Sequence, residues 1–277
     1  MYANATSSAF MKLHLERGKT SIRAKTLIVF DLDGTLTETK SSIAQDMGRL
    51  LVRLLEKKSV AIIGGGRYKQ FRIQFLKQFR APKELLKRLY LFPTTATSFY
   101  RYQGGWKNVY FHELSGKDRA AVKYAFREVL KEIHYVPPPK LYGKVIEDRR
   151  TQVSFSMLGQ DVVAMLGARG VRLKKEWKRK NTPVKMKIAR LMAKRLPHLE
   201  VHAAGYTTID VTRRGIDKAY GIHQIRKKLH VPIKNMLFVG DAIYPGGNDY
   251  AAVKTGVDYV QVLGPRETAK IIRSIVR

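Results

Sequence analysis

Apolar and polar positions follow two different rhythms along this chain. Residues 27–30 (Leu-Ile-Val-Phe) form an apolar run that two acids, a glycine and a threonine bring to an end. The run is too short for a helix and reads as a buried parallel strand. Ile43, Met47, Leu50, Leu51, Leu54 and Leu55 then recur at helical spacing, predicting a helix laid on one face of a sheet. Ser42-Ile43-Ala44-Gln45 has capping-box form and is expected to open it. Residues 60–63 read as a second buried strand, followed by Gly64-Gly65-Gly66-Arg67 and a helix through Phe79. Strand, glycine loop and helix in succession is the rhythm of parallel α/β sheets.

From Tyr90 the rhythm changes. Strands are expected at 90–92, 98–102 and 107–111, with a turn at Gly104-Gly105. Tyr100, Tyr102, Trp106 and Tyr110 alternate like one packed strand face. A polar helix at 117–133 is interrupted by Val136-Pro137-Pro138-Pro139, and strands follow at 144–148 and 152–157. Residues 161–171, with Gly167 and Gly170, read as a loop; a basic helix covers 184–195, and strands cover 200–203 and 207–211. The parallel pattern returns with a helix at 216–229, strands at 236–239 and 259–263, and a terminal helix. The expected fold is α/β. A Rossmann-like parallel-sheet core comprises residues 25–113 and 214–277, an α+β cap is inserted at 114–213, and a flexible extension occupies 1–24.

Composition changes this picture little, and charge changes it more. None of the 277 residues is cysteine, which excludes disulfides and thiolate metal sites and suits a cytoplasmic setting. No stretch approaches the roughly 18 unbroken apolar residues of a membrane span. The N-terminus lacks a secretion pattern. The net charge is +31, from 53 basic and 22 acidic residues, and is densest over 172–195. Such a field can draw in an anionic substrate, bind nucleic acid non-specifically or simply belong to a solvated helix face. No nucleic-acid-binding motif accompanies it.

The candidate chemistry lies at strand ends. Asp31 and Asp33 follow a buried strand, and ligands of open α/β sheets bind beyond the carboxyl ends of the strands. Carboxylates there need a partner, and Mg²⁺ is a natural one. Leu237-Phe238-Val239-Gly240-Asp241 repeats the logic and runs on to Gly246-Gly247-Asn248-Asp249. Alone, the first motif could be a chance turn or a Ca²⁺ loop, and the second a turn; together they point to one site. The seven histidines show no zinc spacing.

Asp31-Leu32-Asp33-Gly34-Thr35-Leu36-Thr37 resembles the first signature of the haloacid dehalogenase superfamily. The segment from Gly240 to Asp249 resembles the last signature of its phosphomannomutase-like branch, which carries a type IIB cap. The resemblance implies that Asp31 is the nucleophile that forms an aspartyl-phosphate, and Asp33 the general acid/base. It implies Mg²⁺ held by Asp31, the backbone carbonyl of Asp33, and Asp241, with Asp249 ligating the ion or orienting a bound water. Lys218 takes the place of the family's lysine, which neutralises the nucleophile and the phosphoryl oxygens.

The family usually ends its second strand in Ser or Thr, and here Gly64 stands at that position. Backbone amides of Gly64 and Gly65 are then expected to cradle phosphate, with Arg67 as a possible substitute for the absent hydroxyl. In the cap, Arg149 falls on a phosphate-binding arginine and Gln160 where a second arginine is expected. Thr208 and Asp210 match sugar-contacting positions.

The expected function is a Mg²⁺-dependent phosphohydrolase acting on a phosphorylated sugar or similar small anionic metabolite. Hydrolysis is preferred to mutase activity because Gln160 weakens the grip on a distal phosphate. Phosphomannomutase activity is the close alternative. From another class, a basic nucleic-acid-binding protein on an impaired phosphatase scaffold is the competing expectation.

Overall fold

The computed structural model describes residues 22–277, so the expected extension at 1–24 lies outside them except for a single turn at Ile22–Ala24. Strand β1 (Leu27–Asp31) runs through the middle of a seven-stranded sheet. On one side lie β2 (Ser59–Ile63), β3 (Leu89–Phe92), β4 (Ser98–Tyr102) and β5 (Trp106–Phe111). β1, β2 and β3 are parallel, whereas β4 and β5 add an antiparallel edge. On the other side of β1 lie two further parallel strands, β10 (Met236–Gly240) and β11 (Asp258–Gln261), formed after the rest of the chain has folded back. The chain therefore leaves β1 in one direction and returns on the other. This reversal opens a crevice at the carboxyl ends of β1 and β10.

Alternate side chains of β1 serve opposite faces, as strand geometry requires. Ile28 and Phe30 pack with Leu50, Leu54 and Ile272 under helices α1 (Gln45–Lys57) and α5 (Pro265–Val276). Leu27 and Val29 pack with Ile222, Ile225 and Phe238 under α4 (Lys218–Leu229). Full burial of each such side chain contributes about 1.5–3 kcal/mol. These two layers hold the acid-tipped ends of β1 and β10 rigid.

The inserted segment builds a second sheet. Strands β6 (Ile146–Asp148), β7 (Val153–Ser156), β8 (Leu199–His202) and β9 (Thr208–Arg213) pair antiparallel in the order β6-β7-β9-β8. Val153, Phe155, Ile209 and Val211 pack against Phe126 of α2 (Gly116–Glu132) and against Ile188 and Met192 of α3 (Ala168–Arg195). The alternate positions Ser154, Ser156, Thr208 and Asp210 are polar and belong to the opposite face, and Thr208 and Asp210 line the cavity between the two layers. The architecture is a Rossmann-like core with an α+β cap.

Five local expectations are corrected. α1 is capped by the backbone of Ala44 and not by a Ser42 capping box, because the amide of Ile43 is tied to the carbonyl of Gln74 at 2.8 Å. The helix expected through Phe79 is a single turn, Tyr68–Phe71, continued by a π-turn at Arg72–Leu76. Residues 161–171 are not a loop: they form helix Val162–Leu166 and the first turn of α3, with Val162, Val163 and Val171 buried. Gly167 makes the kink at φ +52, and a Cβ on Gly170 would meet the Val162 carbonyl oxygen at 2.5 Å. These glycines therefore permit close helix packing. α3 also runs through Pro183, where the expected helix began only after it. Asn181 and Thr182 donate side-chain bonds to the Trp177 and Lys178 carbonyls there, and tertiary packing outweighs the proline penalty. Finally, the register shifts between Phe99 and Tyr100. That bulge sends Trp106 and Tyr110 into different core layers, so the four aromatics do not share one face.

Candidate active site

Three aspartates and one lysine converge where β1, β10 and α4 meet. Asp31 ends β1, and Asp241 follows the last residue of β10. Oxygens of Asp31, Asp241 and Asp249 all lie within 4.8 Å of one another. Asp249 is fully buried, held by the amide of Ala242 (3.2 Å) and by Lys218 (3.1 Å). Lys218, the first residue of α4, also pairs with Asp31 and donates to the Ile63 carbonyl at 3.3 Å. Asp217 caps the helix by accepting from the Tyr220 amide at 2.9 Å, which sets the lysine's direction.

The electrostatics of this cluster are unbalanced. Burial disfavours the Lys218 ammonium, but Asp249 and Asp31 outweigh it and hold the pKa above the usual lysine value. Burial, opposed by Lys218 and reinforced by Asp249 and Asp241, holds the Asp31 pKa well above the carboxylate range. Burial and then Asp249 push Asp241 up to about 7. One ammonium cannot balance three carboxylates, of which Asp31 and Asp249 are buried and Asp241 half-buried. All-oxygen donors with surplus negative charge suit a hard divalent cation such as Mg²⁺. The space is shaped to match: Gly34, at φ +89, leaves no room for a Cβ, which would lie 2.5 Å from Oδ2 of Asp241.

Asp33 stands apart from this group. Its carboxylate accepts from Nε2 of Gln74 at 2.7 Å and from the backbone amide of Lys40. Buried Gln74 also reaches Thr37. The two carboxylates of the first motif thus differ in surroundings: Asp31 sits against Lys218 and two acids, and Asp33 is held by neutral donors. Gln74 and Lys40 went unnoticed in the sequence. Lys40 could have been found as a cation seven positions beyond Asp33, but nothing in the pattern marks Gln74.

Above the cluster, core and cap enclose a cavity of about 1510 Å³. Asp31, Asp33, Gly64, Gly65, Arg67, Arg149, Thr208, Asp210, Lys218 and Asp241 all line it, as sequence reasoning expects of one site. Several partners differ from expectation. The amide of Gly64 is engaged by the Phe92 carbonyl at 3.3 Å and is not free to cradle phosphate. Arg67 pairs with Glu147 at 2.5 Å across the cavity lining. A hydroxyl does stand nearby: Thr95 lines the same cavity, held left-handed at φ +54 by its amide bond to the Gly64 carbonyl. Gln160 is not an idle replacement, because its Oε1 accepts from Lys40 (3.0 Å) and from Arg149 (3.2 Å). Asp210 accepts from Ser154 at 2.5 Å.

The cap also contributes two lysines that sequence reasoning missed within the basic run. Burial and then Lys40 bring the pKa of Lys174 down to about 7, and burial and then Lys178 bring Lys185 down to about 8.

The eukaryotic phosphomannomutase family model matches residues 47–277. The chain belongs to this family. A phosphomannomutase of Encephalitozoon cuniculi is 26% identical over 230 residues, covering 82% of this chain and 83% of that protein. The phosphomannomutase of Saccharomyces cerevisiae is 24% identical over 260 residues, covering 91% and 95%. Among solved structures, an IMP-bound, N-terminally truncated IMP-nucleotidase of Plasmodium falciparum superposes with a TM-score of 0.70 at 15% identity, covering 99% of this chain and 74% of that one. A trehalose-6-phosphate phosphatase related protein gives 0.52 at 17% identity, covering 90% and 96%. These structural likenesses show the fold alone. As a phosphomannomutase-family member, the chain is a phosphotransferase or phosphatase of the haloacid dehalogenase superfamily. No described helix is long and apolar enough to cross a membrane.

Proposed function

We propose that the protein is a Mg²⁺-assisted sugar-phosphate mutase that interconverts the 1- and 6-phosphates of mannose through Asp31. The observation that carries this reading is the set of cations that line the cavity together with the acid cluster. Lys40, Arg149, Lys174 and Lys185 face the same space as the acid cluster. The preference for hydrolysis leaned on Gln160 as a lost grip, whereas Gln160 gathers two of these cations. The named relatives support transfer between sugar hydroxyls as well.

In this reading an oxygen of Asp31 attacks the phosphorus of a hexose bisphosphate, and the phosphorus–oxygen ester bond breaks. Asp33 protonates the departing sugar oxygen. A hydroxyl of the sugar monophosphate then attacks the phospho-aspartate, its proton passes to Asp33, and the carboxylate of Asp31 is released. Lys218 neutralises charge at the nucleophile throughout. Mg²⁺, when bound, supplies Lewis-acid stabilisation of phosphoryl oxygens; Asp31, Asp241 and Asp249 would hold it, with the Asp33 carbonyl as the further ligand. Thr208 and Asp210 are placed to contact the sugar.

The test is incubation with mannose 1-phosphate, Mg²⁺ and a trace of hexose bisphosphate, followed by phosphorus NMR. Mannose 6-phosphate should accumulate with little inorganic phosphate. Release of inorganic phosphate equal to the ester consumed, with no 6-phosphate formed, would replace the mutase by a hydrolase.

A further inference from the structure

The cations that line the cavity differ in what already holds them. Arg149, expected to bind the distal phosphate, donates from Nε to Glu147 (2.7 Å), from Nη1 to the Gly65 carbonyl (2.8 Å) and from Nη2 to Gln160 (3.2 Å). Gly65 belongs to the core and the other two to the cap. Gln152 reaches the same Gly65 carbonyl at 3.2 Å. Lys40 crosses in the opposite direction, from core to cap, onto the carbonyl and side-chain oxygens of Gln160. Lys185 donates to the Gly205 carbonyl at 2.9 Å.

Lys174 alone of these is left over. It projects from the middle of α3, is 2% exposed and lines the cavity. Its ammonium has no hydrogen-bond or ion-pair partner among the described residues. Lys40 and Arg149 repel it, while Asp33 and Asp210 attract it from a distance. A lysine is seldom buried unless paired, and burying its charge unpaired is unfavourable. An anion arriving in the cavity would reverse that penalty.

We propose that Lys174 receives the anionic group at the end of the substrate remote from Asp31, while Arg149 latches the cap to the glycine loop. The assignment rests on the two-ended substrate of the mutase reading. It divides the cap's cations by task. Arg149 and Lys185, with carbonyl and carboxylate partners, shape the closed cavity, and Lys174, buried without one, meets the ligand.

The experiment is calorimetric titration of the full chain with Mg²⁺ present, in an Asp31→Asn background that blocks turnover. The probes are mannose 1,6-bisphosphate and inorganic phosphate. Lys174→Met should weaken the bisphosphate about 10- to 100-fold, the worth of a charge-assisted hydrogen bond. Inorganic phosphate, which needs only the Lys218 end, should change less than about twofold on the same scale. Lys174→Gln, with a melting curve for each variant, provides the same readout if the methionine variant folds poorly. Unchanged bisphosphate affinity, or equal weakening of both probes in a variant that melts cooperatively, would overturn the assignment. With Asp31 intact, wild-type interconversion rates in Lys174→Met would overturn it while leaving the mutase reading standing. Lys174-dependent bisphosphate binding without any interconversion would do the reverse.

Discussion

Gly34 and Asp241 are 207 positions apart in the chain, yet a single methyl group on one would collide with the other. A Cβ at Gly34 would lie 2.5 Å from Oδ2 of Asp241. The first motif thus needs its glycine partly because the last motif's carboxylate occupies the space where a side chain would go. Gly34→Ala combines this clash with a positive φ of 89°. It should destabilise the protein by about 1–3 kcal/mol and impair Mg²⁺-dependent turnover, as read by urea unfolding and by assay. Unchanged stability would show that Asp241 swings aside freely.

Asp31→Asn should abolish turnover of every phosphate ester and leave the fold intact. It removes one negative charge from a cluster that holds three carboxylates against one ammonium. The melting temperature without metal should therefore stay level or rise. Residual turnover at the wild-type rate would remove Asp31 from the role of nucleophile.

Mg²⁺ should stabilise the wild type, by about 2.7 kcal/mol at a hundred times its dissociation constant. Asp241→Asn should lose most of that shift. Differential scanning fluorimetry with and without EDTA measures both, and an equal Mg²⁺ shift in the variant would place the ion elsewhere.

Asp33 depends on Gln74, whose Nε2 lies 2.7 Å from it. Asp33→Asn should slow turnover chiefly for poor leaving groups, which most need a proton. Gln74→Leu should reproduce part of that pattern, with turnover down about tenfold as the acid loses its orientation. Equal slowing of good and poor leaving groups in both variants would argue against the acid/base role.

Lys174 carries a pH signature. Its folded pKa is about 7, against about 10.4 in an unfolded chain. Between these values the unfolded state holds a proton that the folded state has lost, so stability rises with pH across this window. The full penalty is present below pH 7. Lys174→Met should therefore be more stable than the wild type near pH 6, by at most ~5 kcal/mol. The difference should shrink toward pH 10 in denaturant titrations. A pH-independent difference would mean that Lys174 is not titrating as an unpaired buried ammonium.

Local pattern determined most of the core elements and the order of the motifs along the chain. Apolar runs ending in Asp31 and Asp241 imply strands with acids at their carboxyl ends, because strand burial and strand polarity are encoded over a few residues. Thr208 and Asp210 were singled out by the family resemblance, and the structure shows them on the polar face of β9.

What only the tertiary structure decided is which groups are already taken. Arg149, Arg67 and Gly64 look available in the sequence, and the fold assigns them Gln160 and Gly65, Glu147, and Phe92. Lys174 looks like one surface lysine among many until α3 turns it inward. Helical residues 161–171 were hidden because Gly167 makes a kink and Gly170 packs closely on the Val162 backbone, where glycines read locally as loop signals. Partnership and burial depend on residues far away in the chain, and local periodicity carries no record of them.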